Sequence, residues 1–143
     1  MRIWQQAGIS SVAVKMATVV SWMYCGTFFT RELLYKMRKV KSPNCACENT
    51  VSENLSHFLL HCHLYDNIRQ QYIPKYIQMN SQVLDLINNE SLLLTSILDP
   101  LSSILPERLV KNWVSVKTVY DLSRQFCYRM FLKREKIYKD NEK

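Results

Sequence analysis

Apolar residues recur at steps of three and four along most of this 143-residue chain, the spacing of amphipathic α-helices. The clearest run follows Ser52, a plausible N-cap. We expect this helix to pack through its apolar side and to end or kink at Pro74, with Asp66 and Arg69 projecting to the side or to solvent. The apolar positions are Leu55, Phe58, Leu59, Cys62, Tyr65, Ile68 and Tyr72.

Two further elements are predicted nearer the N-terminus. Residues 12–20 are rich in Val, Ala and Thr and are compatible with a helix or a strand, which Gly26 punctuates. Thr30 can cap a short helix running through about Met37, with an apolar stripe formed by Leu33, Leu34 and Met37.

The C-terminal half also follows a helical pattern. Residues 83–87 and 92–98 suggest two short helices separated by Asn88-Asn89, and residues 99–106 form a loop with two prolines. From Glu107 onward the apolar spacing predicts one amphipathic helix of about 30 residues that frays from Lys139. The spacing is set by Leu109, Trp113, Val116, Tyr120, Cys127 and Met130. With only two glycines and four prolines, the expected fold class is a mainly α, small helical domain.

Four side chains with metal-ligand chemistry lie within 18 residues: Cys45, Cys47, His57 and Cys62. Their spacing, Cys-x-Cys-x9-His-x4-Cys, supplies a Cys3His set, which forms a closed tetrahedral shell around zinc. The alternative is that these are unrelated buried residues. On a straight helix positions 57 and 62 would lie about 140° apart. We therefore expect the helix to begin near or after His57, or to be distorted between the two ligands.

The remaining cysteines and histidines have a less specific interpretation. Cys25 and Cys127 lie far from the cluster and are expected to be small buried hydrophobes rather than ligands. His61 and His63 are expected to be exposed or to lie beside the ligands. Either histidine could replace His57 as a metal ligand if the helix register differs.

Residues 30–72 resemble the zinc-binding segment at the C-terminal end of non-LTR (LINE-type) retrotransposon reverse transcriptases. The resemblance is carried by Ser-Pro-Asn-Cys-Ala-Cys at 42–47, Glu53, the His-x4-Cys unit with Tyr65 and Arg69 after it, and the basic lead-in at 30–37. It implies zinc as the cofactor, with Cys45, Cys47, His57 and Cys62 as its ligands. Two positions depart from the family, which often has Gly where this chain has Glu48 and Pro where it has His63. These two departures would imply either a lower metal affinity than in the family or a retrotransposon copy that is decaying.

Charge is unevenly distributed along the chain. Residues 1–44 carry a net +6, residues 45–107 a net −5 and residues 108–143 a net +6. The densest cluster consists of Lys36, Arg38, Lys39 and Lys41, directly before the cysteine pair. It is the candidate nucleic-acid contact, since phosphate binding depends on clustered cations, although a solvated helix end explains it equally well. Six further cations follow the pattern of the last helix, where solvation is the simpler explanation: Arg124, Arg129, Lys133, Arg134, Lys136 and Lys139.

Enzymatic activity is not expected. A polymerase needs paired aspartates for two metal ions, and no Asp-Asp pair occurs in the sequence. The resemblance therefore implies a zinc-binding, nucleic-acid-associated fragment of a reverse transcriptase without its own active site, with RNA or DNA and an upstream polymerase domain as partners. The alternatives are a zinc-stapled protein-interaction module, in which the last helix docks to a partner, and a decayed coding remnant.

We also predict three segments along the chain and the cellular compartment of the protein. Residues 1–41 would be a basic helical lead-in, 42–78 the zinc-binding knuckle and helix, and 79–143 a helical tail ending in a basic helix. Lys15 interrupts the apolar stretch 9–29, so no membrane association is expected. Five cysteines without a secretory signal favour a reduced, nuclear or cytoplasmic setting.

Overall fold

The computed structural model describes residues 11–47, 50–79, 89–99 and 113–141. These contain five α-helices: α1 (Ser11–Tyr24), α2 (Arg31–Lys36), α3 (Asp66–Met79), α4 (Glu90–Leu98) and α5 (Trp113–Asn141). Within these ranges there is no β-strand, only an isolated antiparallel bridge between Asn44 and Ser52. The mainly α fold class is therefore confirmed.

The segment that was compatible with a helix or a strand is helical. Gly26, two residues after the end of α1, adopts a positive φ of 73°, which glycine tolerates without steric cost. The chain then folds back, so that the backbone N–H groups of Thr27 and Phe28 both donate to the Trp22 carbonyl. This reversal brings Phe28 into the core.

Helix α2 begins as predicted, because the Thr30 hydroxyl accepts a hydrogen bond from the Leu33 N–H. Its end differs from the prediction in one respect: Leu33 and Leu34 are half-buried, but Met37 is 44% exposed and does not extend their stripe. Met37 instead caps the helix, and Arg38 follows with a positive φ of 61°. The Lys39 N–H then donates to the Leu34 carbonyl, as in a Schellman C-cap motif. Glycine is the usual residue of this motif at the position of Arg38.

Helix α3 continues through Pro74 to Met79, so Pro74 does not end it, and the alternative of a kink there stays a prediction. Proline keeps a helical φ, although it lacks an N–H donor and its ring crowds the carbonyl four residues earlier. Pro74 lies on the exposed side of α3. Helix α4 confirms the prediction for residues 92–98 and is capped by the Asn89 side chain. The predicted helix at 83–87, the loop beyond Asp99, the start of the last helix at 107–112 and the Glu48 position lie outside the described residues.

Helix α5, 29 residues long, is the central element of the core. It packs against α1 and α3, and α1 also contacts α4. One side of α5 is completely enclosed, with Val119, Cys127 and Met130 at 0% exposure. No helix in the described ranges combines the length and apolar character needed to cross a bilayer. Cys127 is thus a buried thiol as expected, whereas Cys25 lies exposed just after α1 and the prediction of its burial was wrong.

Candidate metal centre

The structure brings together the four side chains that the sequence motif singled out. One donor atom from each of Cys45, Cys47, His57 and Cys62 lies within 4.8 Å of every other. The sulfur atoms of Cys45 and Cys62 are 3.7 Å apart, and Cys47 Sγ lies 3.3 Å from His57 Nε2. Around a tetrahedral zinc ion, bond lengths of about 2.3 Å to sulfur and 2.0–2.1 Å to nitrogen would place two sulfurs about 3.8 Å apart and sulfur about 3.6 Å from nitrogen. The donor set and its spacing therefore fit a tetrahedral metal ion.

A short backbone ladder positions the two N-terminal cysteines. The Cys45 N–H donates to the Val51 carbonyl at 2.7 Å, and the Glu53 N–H donates to the Pro43 carbonyl at 2.9 Å. The loop that carries Cys45 and Cys47 is thus closed at its base. Ser52 belongs to this bridge and is not the helix cap that the sequence suggested. The Asn54 side chain takes that role, accepting a hydrogen bond from the His57 N–H.

The helix is distorted between the other two ligands, as the spacing predicted. Residues His57–His61 form a π-helical turn, and the Cys62 N–H donates to the His57 carbonyl five residues earlier at 2.7 Å. Cys62 itself leaves the helical conformation, with ψ at 123°, before a 3₁₀ turn at His63–Tyr65 leads into α3. This break brings His57 and Cys62 to one centre, although a straight helix would separate them.

Burial distinguishes the two sides of the centre. Cys45 and Cys62 are enclosed, at 3% and 0% exposure, whereas Cys47 and His57 are half-buried. Burial and the neighbouring Cys45 thiol raise the pKa of the Cys62 thiol, while a hydrogen bond from the Leu64 backbone N–H opposes that rise. A thiol in this setting becomes a thiolate when a cation replaces its proton.

A buried charged network joins the cysteine loop to α5. Glu53 is 0% exposed, and its carboxylate accepts hydrogen bonds from the Arg134 guanidinium at 2.7 and 3.0 Å, from the Tyr138 hydroxyl at 2.9 Å and from the Arg31 N–H at 2.8 Å. The Tyr138 hydroxyl also accepts from the Ala46 N–H, between the two cysteines. Although burial alone lowers the pKa of Arg134, the hydrogen bond and charge of Glu53 raise it above its ordinary value. The C-terminal helix thereby holds the metal loop in place.

Sequence reasoning missed this role of Arg134, which it grouped with the solvated cations of the tail. Arg134 is only 8% exposed. One signal was available: Arg134 lies seven residues after Cys127 and four after Met130, on the stripe that the apolar spacing assigns to the core. A charged residue on such a stripe requires a buried partner, and Glu53 supplies it.

Aromatic rings cover the inner side of the centre. Phe28 stacks on Phe58 with ring centroids 5.6 Å apart, and Tyr65 meets Phe58 edge to face at 5.0 Å. Arg69 also belongs to this inner layer and does not project to solvent: it is 8% exposed and donates to the Phe58 carbonyl at 3.2 Å and to Asp66 at 2.8 Å. Asp66 itself is exposed as predicted. The apolar stripe predicted for this region is confirmed as core packing around the metal ligands.

Neither of the two other histidines faces the cluster. His61 and His63 are both exposed, and His61 Nε2 lies 2.6 Å from the Glu90 carboxylate. The Ser56 hydroxyl contacts the same carboxylate, and hydrogen bonds from Ser56 and His61 lower the pKa of Glu90. His57 is therefore the histidine that the fold places among the cysteines.

The candidate nucleic-acid contacts lie on the surface beside the cysteine loop. Lys36, Arg38, Lys39 and Lys41 are all exposed. Lys36 forms an ion pair with Glu32 at 3.5 Å.

With this geometry established, comparisons with known proteins add no assignment: no protein-family model, curated protein or solved structure is significantly similar to this chain.

Proposed function

We propose that Cys45, Cys47, His57 and Cys62 bind one zinc ion whose role is structural. The observation that supports this most directly is the convergence of their four donor atoms within 4.8 Å. Three thiolates and one imidazole in tetrahedral spacing suit zinc, whereas magnesium and calcium prefer oxygen ligands. All four coordination positions would be filled by protein, which leaves none for a substrate.

The metal ion would stabilise the loop that follows Cys47, because apolar packing within that loop is too small to hold it folded. The loop between Cys47 and the helix contributes few apolar side chains, and its base is held by two backbone hydrogen bonds. Structural zinc sites contribute apparent free energies on the order of 10 kcal/mol, gained as the site folds. We therefore expect chelation to unfold the knuckle, monitored as a loss of helical circular dichroism that zinc restores.

We further propose that the domain holds nucleic acid as the C-terminal fragment of a retrotransposon reverse transcriptase. Two observations support this: the resemblance of residues 30–72, and four exposed cations directly before the metal loop. An exposed cluster of this kind neutralises phosphates and releases counterions. The apolar side of α5 is buried within the domain, which leaves less of that helix for the alternative of docking to a protein partner.

Salt-dependent binding tests this second proposal. The variant Lys36→Ala/Arg38→Ala/Lys39→Ala/Lys41→Ala should weaken binding of a fluorescent oligonucleotide and flatten its salt dependence, by up to about 0.7 in log–log slope for each single-strand phosphate that is no longer neutralised. The matched control removes four exposed α5 cations of equal charge, as Lys117→Ala/Lys133→Ala/Lys136→Ala/Lys139→Ala. Equal losses in both variants would show unspecific attraction by net charge and contradict a defined site. A protein that neither binds nor unfolds cooperatively would support the decayed remnant.

A further inference from the structure

The side chain of Arg134, which pairs with Glu53, also lines an aromatic cleft. Its volume is about 450 Å³, within the range typical of small-ligand sites. It is lined by Trp22, Thr27, Phe28, Phe29, Phe131, Arg134 and Glu135.

The rings of this cleft are held by the fold yet remain accessible at its mouth. Phe131 meets Trp22 and Phe28 edge to face, each with centroids 6.2 Å apart, while Phe28 rests on Phe58 below. Trp22 and Phe29 are 42% and 53% exposed. The walls thus present flat apolar surfaces that a planar ligand can contact.

Arg134 lines the cleft and retains hydrogen-bond donors that the described residues do not use. Its Nε and Nη2 atoms donate to Glu53 and to the Phe29 carbonyl. Nη1, by contrast, donates to no acceptor in the part of the chain that the structure describes. The exposed Glu135 carboxylate adds a hydrogen-bond acceptor to the lining.

We propose that this cleft binds an unpaired nucleobase, an inference that rests on the proposed nucleic-acid function. A nucleobase combines a flat face for stacking on Trp22 or Phe29 with ring and carbonyl acceptors for Arg134 and amino or imino donors for Glu135. An apolar side chain from a protein partner would offer Arg134 and Glu135 no hydrogen-bond partner, and covering these polar groups without pairing them carries a desolvation cost.

The charge in the cleft favours recognition of the base rather than the phosphate. The Arg134 cation is already paired with Glu53 at 2.7 Å, and Glu135 would repel a phosphate group. Binding in the cleft should therefore depend little on salt. A base in a duplex has its edge paired and its faces stacked, so the cleft should select single strands.

Single exposed aromatics provide the test, with an exposed tyrosine as the matched control. Phe29→Ala and Trp22→Ala should each weaken binding of a fluorescent single-stranded oligonucleotide by about 5- to 150-fold, the effect of losing one stacked base, without changing the salt slope. Tyr24→Ala, which removes a ring 59% exposed outside this cleft, should leave affinity within about twofold. The Trp22 indole N–H resonance, identified by its loss in Trp22→Phe, should shift on adding the oligonucleotide.

The possible results separate this inference from the broader proposal. The cleft inference fails if Phe29→Ala and Trp22→Ala bind like Tyr24→Ala while the variant lacking Lys36, Arg38, Lys39 and Lys41 loses salt-dependent binding. The nucleic-acid proposal then stands. If no oligonucleotide binds at low salt, both fail. If the Trp22 resonance shifts with an apolar tryptophan-containing peptide but not with the oligonucleotide, the cleft belongs to a protein partner and the inference is overturned.

Discussion

The Arg134 guanidinium forms a two-point ion pair with the Glu53 carboxylate, joining residues 81 positions apart in the chain. Both side chains are buried. The pair connects the base of the cysteine loop with the C-terminal helix, so the candidate metal centre and the helical core share one charged contact.

Removing one member of this pair should strongly destabilise the fold. Glu53→Gln leaves the Arg134 cation buried without a counter-charge, so we expect a loss on the order of 3–5 kcal/mol in the free energy of unfolding, measured by denaturant titration. Glu32→Gln, which removes the partly exposed pair with Lys36, is the control and should change stability by about 0.5 kcal/mol or less. Adding Arg134→Met to Glu53→Gln should cost less than the sum of the single losses, whereas simple additivity would contradict the coupling.

Two equally buried cysteines should differ in their contribution to stability. Cys62 and Cys127 are both at 0% exposure, so replacing either with serine buries a hydroxyl at comparable cost. Only Cys62→Ser also removes a metal ligand, and it should lower the melting temperature further and abolish stoichiometric metal binding. Equal melting temperatures for the two variants in the presence of zinc would contradict the metal assignment.

Local signals in the sequence predicted much of this fold. The Thr30 cap, the helix at residues 92–98 and the distortion between His57 and Cys62 all depend on residues close together in sequence. The spacing of the four candidate ligands likewise identified the cluster that the structure assembles.

Three of the incorrect predictions concerned the surroundings of a side chain. Burial of Arg69 and Arg134 depends on acceptors that the folded chain brings to them, the Phe58 carbonyl and the Glu53 carboxylate. Exposure of Cys25 depends on how the chain reverses after α1. Pattern alone does not reveal these contacts, because they are set by which helices pack together.

The cysteines should differ in reactivity toward a thiol reagent. Cys25 is exposed, whereas burial raises the pKa of the Cys127 thiol to about 12 and keeps it protonated. The three cysteines of the cluster would be protected by the metal. We therefore expect one fast-reacting thiol in the zinc-loaded protein, absent in Cys25→Ser, and five after denaturation. Three or more fast thiols in the zinc-loaded protein would contradict metal protection.

Zinc affinity should rise with pH. Burial and the Cys45 thiol raise the pKa of Cys62, so at neutral pH the ion must displace a proton from this thiol. Lowering the pH adds competing protons, and the apparent affinity should fall about tenfold per pH unit for each proton displaced. Competition titrations with a chromophoric chelator between about pH 6 and 8 measure this dependence, with the chelator's own protonation corrected. A pH-independent affinity would show that the thiols are not the ligands.

The central claim is that Cys45, Cys47, His57 and Cys62 hold one structural metal ion. Elemental analysis of protein purified without added zinc, beside the Cys45→Ser/Cys47→Ser variant, tests it most directly. We predict one zinc ion per chain, lost in the variant together with helical circular dichroism. Metal-free protein whose helical signal and stability are unchanged in the variant would contradict the claim, and would leave a helical domain with free thiols.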